Sequence, residues 1–227
     1  MVGMKWLGEE RINLVACLDY LFFVGCEKEY IEFAHLLSSY IRNCLLGDDV
    51  LKIAEKAVKL SKKNKYDYYL AVSLMDLGLA NENIGNFTDA IILFHQAEKI
   101  WQNKFCEVEL AYAFSNEGFT LERLGKYDEA LNILQNALEL YQKNDNLFGI
   151  GFVKNAMGAV NWRMKKYSVA KKIFEETLAV RQSTTPVQAL KHCARAPTSP
   201  AHSTCLLLLL RKTKSGVCWH HGFSLYI

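Results

Sequence analysis

The sequence predicts an all-α chain, a right-handed α-solenoid of antiparallel helix pairs with a disordered C-terminal tail. Three observations lead there. A set of small and aromatic residues returns every forty positions: Gly78, Gly118 and Gly158; Phe87, Tyr127 and Tyr167; Ala90, Ala130 and Ala170; Phe94, Leu134 and Phe174; Ala97, Ala137 and Thr177. A fixed period of this length marks stacked units, each burying its apolar face on the next. Between these landmarks apolar residues recur at helical spacing. After Gln182 that spacing stops, and residues 183–227 hold all three prolines, four of the six histidines and three of the seven cysteines.

Taken in order, residues 5–25 read as a first helix, with Ile12, Val15, Leu18 and Phe22 on one face and Leu14 and Leu21 widening it. Gly25 supplies the left-handed residue that closes it. A second helix over 27–45 carries Tyr30, Phe33, Ala34, Leu37 and Ile41, and Gly47 is expected to end it. Asp48 offers an N-cap to a third, through Val50, Ile53, Ala54, Ala57, Val58 and Leu60. Shifted by forty, this segment overlays the regular units, so 27–63 is a decayed copy with Ser38 in the glycine position. Residues 1–65 thus form an N-terminal helical region.

Three regular units follow, over 66–105, 106–145 and 146–182. Their A helices are expected near 68–84, 107–124 and 147–164, and their B helices near 87–103, 127–143 and 167–182. Gly85 and Gly125 suit a reversal at positive φ, whereas Lys165 makes the third turn less comfortable. A glycine inside a helix costs about 1 kcal/mol against alanine. Three at one phase therefore signal a close approach, for which the alanines twelve residues later are the natural opposing surface. Phe87, Tyr127 and Tyr167 are expected to fill the wider end of each hairpin.

Composition narrows the function. With 51% apolar and 22% charged residues, the chain can bury a core and remain soluble. Up to residue 182 there are 22 basic against 24 acidic residues; the tail adds five basic and no acidic ones. The repeat body has no field that would draw nucleic acid. Scattered cysteines without a CxxC pair fit a reducing, cytoplasmic setting, with Cys17, Cys26, Cys44 and Cys106 expected as small buried thiols. The apolar run 14–26 contains Asp19 and is too short to cross a bilayer, which takes about 20 residues. Lys62, Lys63 and Lys65 read as solvated charge at a helix C-terminus.

The pattern Gly-x6-Gly-x-[Phe/Tyr]-x2-Ala-x3-[Phe/Leu]-x2-Ala, met in full by 78–97 and 118–137, resembles the tetratricopeptide repeat. Residues 158–177 depart at Lys165 and Thr177, and the usual tryptophan-like site holds Leu74, Phe114 and then Lys154. A 40-residue unit is similar to the longer repeats of kinesin light chains and of bacterial regulators carrying an NB-ARC ATPase. Trp6-Leu7, Arg11 and Asn13-Leu14-Val15-Ala16 resemble the segment that joins ATPase to repeats in those regulators. No GxxxxGK[ST] is present to hold a phosphate.

The resemblance implies a non-catalytic scaffold whose concave groove, lined by A helices, holds a peptide or a partner's helix. Counted from each central glycine, the groove candidates are Asp76, Glu82 and Asn83, then Asn116, Glu122 and Arg123, then Asn155, Trp162 and Arg163. Asn116 and Asn155 suit a peptide backbone best, because an amide donates and accepts together. Of Met75, Leu79, Asn116, Phe152 and Ala156, the positions of the clamp that reads chaperone C-termini, only Asn116 fits. The alternative is a ligand-sensing fragment of a signalling or transcriptional regulator that lacks its ATPase. Enzymatic chemistry finds little support: His95 is the one histidine of the regular repeats, and Glu175 and Glu176 point to different faces. Cys193, Cys205, Cys218, His220 and His221 match no usual zinc spacing, so neither cofactor nor metal is expected. The last unit has no polar closing helix behind Val169, Ile173, Phe174 and Leu178, which leaves self-association there as a further expectation.

Overall fold

A computed structural model describes residues 11–44, 47–104 and 106–183, which contain nine α-helices. These are α1 (Arg11–Phe23), α2 (Glu27–Cys44), α3 (Gly47–Lys63), α4 (Asp67–Asn83), α5 (Phe87–Lys104), α6 (Glu107–Arg123), α7 (Tyr127–Lys143), α8 (Leu147–Arg163) and α9 (Tyr167–Ser183). The regular helices lie within a residue or two of their expected bounds. Gly47 differs, since it opens α3 instead of closing α2. The expected disorder of the tail concerns residues outside those described.

The helices form a row of antiparallel hairpins, an α-solenoid. Packing is most extensive within the pairs α4–α5, α6–α7 and α8–α9, then between α3 and α4, α5 and α6, and α7 and α8. The A helices α2, α4, α6 and α8 also touch one another in turn. The decayed copy belongs to the row: Tyr30, Ile31, Ala34 and Leu37 of α2, Val50, Ala57 and Leu60 of α3, and Ala80 of α4 share one buried cluster.

The central glycines serve a different neighbour from the one expected. A methyl group built on Gly78 would lie 2.4 Å from the Phe94 ring. On Gly118 it would lie 2.6 Å from Leu134, and on Gly158 2.5 Å from Phe174. Each glycine is thus a notch for the side chain sixteen residues on, in its own B helix. The approach is that of a knob and not of a second backbone. Ala90, Ala97, Ala130, Ala137 and Ala170 are fully buried beside these knobs. Thr177 takes the last alanine position without an orphaned hydroxyl, because its Oγ1 donates to the Ile173 carbonyl at 2.7 Å. The aromatics at the wider end are less enclosed than expected. Phe87 and Tyr127 are half-buried, and Tyr167 is 52% exposed because no further hairpin follows it among the described residues. At the opposite end of the helix from Phe87, Trp101, in the last turn of α5, is fully buried.

The turns share one device. Gly85 N–H donates to the Glu82 carbonyl and Asn86 N–H to that of Asn81; Gly125 and Lys126, and Lys165 and Lys166, repeat the pair of bonds. This is the Schellman closure, which needs a left-handed residue. Gly85 and Gly125 provide it at φ 89° and 77°, whereas Lys165 is forced to φ 62°. The B-to-A turns close the same way on Lys65 (φ 56°) and Asp145 (φ 51°). There the following helix start is fixed strongly enough to hold a side-chain-bearing residue in a conformation that costs about 1–2 kcal/mol.

Three hairpins, α2–α3, α4–α5 and α6–α7, are also clasped at their open ends. Lys63 Nζ and Asn64 Nδ2 both lie 2.7 Å from Glu27. Lys143 and Asn144 hold Glu107 in the same way, and Lys104 lies 3.1 Å from Asp67. The hydrogen bonds from Asn64 and Lys63 keep the Glu27 carboxyl below its ordinary range. Lys63 is therefore a tie from α3 to α2 as well as a charge near a helix terminus.

The first helix is buried on one face only. Leu18 is fully buried, but Tyr20, Phe22 and Phe23 are exposed, because α1 ends the described row and has neighbours on one side only. Lys56 covers part of this face, with its ammonium 3.6 Å from the Phe22 ring centre. Cys17 is exposed and Cys26 and Cys106 half-buried, contrary to expectation; the Cys44 side chain lies outside the description. At the other end Leu178, which shares its phase with the buried Leu138, is 56% exposed.

Gly78→Ala is expected to lower the unfolding free energy in urea by about 1–3 kcal/mol through overpacking against Phe94, despite alanine's better helix propensity. An unchanged or raised stability would rule out the notch. Lys165→Gly is expected to raise stability by about 1 kcal/mol by relieving the left-handed lysine.

Candidate functional site

Two places on this framework gather polar side chains. The first is the surface where A helix follows A helix. Its residues are bound across the joints, about one repeat apart. His35 Nδ1 lies 2.7 Å from Asp76 Oδ2, and the Tyr69 hydroxyl donates to Glu32. Arg123 Nε lies 3.6 Å from Glu82, and Arg163 Nε donates to Glu122 at 2.8 Å. The Phe119 and Phe152 rings lie between α6 and α8 with their centres 5.1 Å apart.

The predicted groove residues divide accordingly. Asp76, Glu82 and Glu122 are largely covered and engaged by a neighbouring helix, whereas Arg123 and Arg163 keep 60% and 65% of their side chains in solvent. Such partly exposed pairs are each worth about 0.2–1 kcal/mol, so they set register more than stability. Asn116 is buried and donates its Nδ2 to the Tyr112 carbonyl at 2.7 Å. Asn81 and Asn161 make the same bond to the carbonyl four residues back. Asn83 and Asn155 are exposed, and Trp162 is exposed with its edge against Tyr167. Sequence reasoning passed over His35, Glu32, Tyr69 and Phe119, and weighed Phe152 only as a clamp position that does not fit. The opposite charges at 82 and 123, and again at 122 and 163, were a readable signal: the same offset occurs twice.

The second place is buried, where α5 meets α6. His95 and Glu98 stand three residues apart on one face of α5, and Glu117 faces them from α6. His95 Nε2 lies 2.9 Å from Glu117 Oε1. Glu98 and Glu117 are only 7% and 5% exposed. One carboxylate oxygen of each, Glu98 Oε1 and Glu117 Oε2, is buried with no hydrogen-bond partner. Burial first, and then the Glu117 charge beside it, push the Glu98 carboxyl up to about 8. His95 is therefore no isolated packing residue. The missed signal lay in the register: forty residues on, the positions of Glu98 and Glu117 hold Leu138 and Met157, and forty back they hold Val58 and Leu77. One joint of the array has acids where its neighbours have apolar contact.

Comparison with known proteins agrees with this architecture. The family model described as tetratricopeptide repeat matches residues 109–183. No curated protein matches the sequence. The crystal structure of BtubC (BKLC) from P. vanneervenii is similar over 99% of this chain and 97% of its own, with TM-score 0.63 and 16% identity. Aspartyl phosphate phosphatase F from Bacillus subtilis is similar over 93% of this chain with TM-score 0.69 and 13% identity. The apo form of RapI is similar over 92% with TM-score 0.63 and 16% identity. The chain spans 58% and 60% of the length of these last two. At such identities the likeness is one of fold. Among the described residues no helix is long and apolar enough to cross a membrane.

The Glu98 carboxyl gives a pH test with a definite sign. Its folded value lies above its unfolded one near 4.5, so folding takes up a proton between them. Stability is fullest below the unfolded value, falls as pH rises toward about 8, and is level beyond. In chelator-treated buffer, urea unfolding of the natural chain should weaken relative to Glu98→Leu across this window, by up to about 1.4 kcal/mol per pH unit. Parallel pH profiles for the two proteins would show that Glu98 is not held protonated.

Proposed function

Because residues 109–183 match the tetratricopeptide-repeat model and the A helices stand in a row, we propose that the chain is a non-catalytic scaffold that binds a protein segment, an extended peptide or a partner's helix, along that row. The observation that carries the reading is the surface those helices share. Exposed Asn155 and the free ends of Arg123 and Arg163 lie on the same helices as the half-buried rings of Tyr112, Phe119 and Phe152. Apolar area flanked by donors suits a peptide, whose backbone offers carbonyls and whose side chains fill shallow pockets. In this reading Asn155, Arg123 and Arg163 contact the ligand, together with Asn83 at the neighbouring helix end. Asp76, Glu82 and Glu122 hold the helices in register and orient the arginines. Asn116 shapes the floor, with its amide turned to its own helix. The carboxylates behind Arg123 and Arg163 keep the guanidinium groups in place, so less freedom is lost when they meet a ligand. A cytoplasmic setting and contact between copies at Leu178 belong to the same proposal, and nucleic acid does not.

Peptides selected from a displayed library on the full chain would test this by fluorescence anisotropy. Asn155→Ala with Arg163→Ala should weaken a selected peptide about tenfold or more, equivalent to about 1.4 kcal/mol, while the helical circular dichroism stays intact. Gln135→Ala and Lys172→Ala, exposed on B helices, should leave affinity unchanged. If the B-helix pair weakened binding and the A-helix pair did not, the ligand surface would lie elsewhere.

A further inference from the structure

We propose that His95, Glu98 and Glu117 form a binding site for a divalent cation of the zinc class, one that clamps α5 to α6. The argument begins with convergence. One ligand atom from each of the three side chains lies within 4.8 Å of the other two. Four-coordinate zinc takes nitrogen and carboxylate oxygen at about 2.0–2.2 Å, which spaces its ligands about 3.3–3.6 Å apart. His95 and Glu117 are already closer than that, at 2.9 Å. The third donor, within 4.8 Å of both, has about 1–1.5 Å to move to complete the set.

The second observation is independent of the spacing. Glu98 and Glu117 each bury an oxygen that no amide, hydroxyl, lysine or arginine donor meets, so the one proton available to them is the one their two carboxyls share. Among the described residues neither is bridged by a lysine or arginine, whereas Glu27, Glu82, Glu107 and Glu122 along the row are. Leaving a buried polar atom unmatched costs about 1–3 kcal/mol, and more when it is charged. A cation between the two carboxylates removes both deficits at once. The array supplies its own controls, since Leu138 with Met157 and Val58 with Leu77 fill the same positions with apolar contact at the other joints. Packing alone therefore does not require acids there.

The donor set selects the class of ion. An imidazole with two carboxylates suits zinc and its first-row neighbours, whereas magnesium and calcium favour all-oxygen shells. The His95 side chain is half exposed while the acids are enclosed. That opens a route inward from the surface and leaves a coordination position for water. Bound there, the ion joins the hairpin α4–α5 to the hairpin α6–α7.

The test uses the full chain, stripped with a chelator and titrated with zinc chloride. Because the tail carries cysteines and histidines of its own, the readout is the difference between variants. Glu98→Leu with Glu117→Met restores the apolar pair of the neighbouring joint, so it should fold and be at least as stable without metal. Zinc should raise the thermal midpoint of the natural chain by about 5–10 °C at a hundredfold excess over Kd, and leave that of the double variant unmoved. His95→Ala and Glu98→Gln should each weaken the response at least about tenfold. Cobalt(II) should give visible bands in the natural chain that the double variant lacks, and magnesium should do nothing. The inference fails if zinc shifts both proteins equally, or if the natural chain stays folded and gives no shift with zinc. It stands apart from peptide binding, which loss of the metal response would leave in place.

Discussion

The fit of one side chain per hairpin into a notch in the facing helix governs this molecule. Phe94, Leu134 and Phe174 lean from the B helices onto Gly78, Gly118 and Gly158, leaving no room for even a methyl group. That contact brings the two helix axes together where the small residues are. It also fixes which face of each helix looks inward, and so which face is left for the next hairpin. The left-handed turns follow from it, since a chain reversing over two residues between closely packed helices needs one residue at positive φ. Lysine and aspartate are driven into that conformation where glycine is missing, which measures how firmly the packing dictates the turn.

Hairpin then joins hairpin by two kinds of contact. The A helices are tied by polar pairs at their exposed edges, and the B helix of one unit meets the A helix of the next through a buried apolar seam. At α3–α4 the seam includes one neutral buried pair, Ser61 with Ser73, and at α5–α6 it is interrupted by two acids, Glu98 and Glu117. An array held by nearest-neighbour contacts is only as cohesive as its joints. A joint that depends on the protonation or ligation of two acids is therefore one where the cohesion of the row can be set from outside. The end of the described row differs from the middle for a related reason: Leu178 faces solvent because, among the described residues, no A helix covers it as α8 covers Leu138.

The division of labour along each A helix follows the same geometry. Residues facing the hairpin partner are small or apolar. Those at the edge are spent on the adjacent A helix, and the remainder is offered to a ligand. Glu82 and Glu122 show the middle category: they are charged and near the surface, yet already taken by Arg123 and Arg163. This is why a stripe of polar residues in the sequence overstates the number of free ligand contacts.

By itself the sequence determined the period, the helix bounds, the turn glycines and the existence of a decayed copy at 27–63. Those features are local or repeat at a fixed offset, and either property leaves its trace in the order of residues. It could not say that the glycines face Phe94, Leu134 and Phe174, because a small residue signals closeness without naming what comes close. Nor could it show that Asn116 turns back to Tyr112, or that His95 meets two acids from different helices. Only the tertiary structure decided those, since the side chains concerned meet across a joint whose rotation and spacing no single helix encodes.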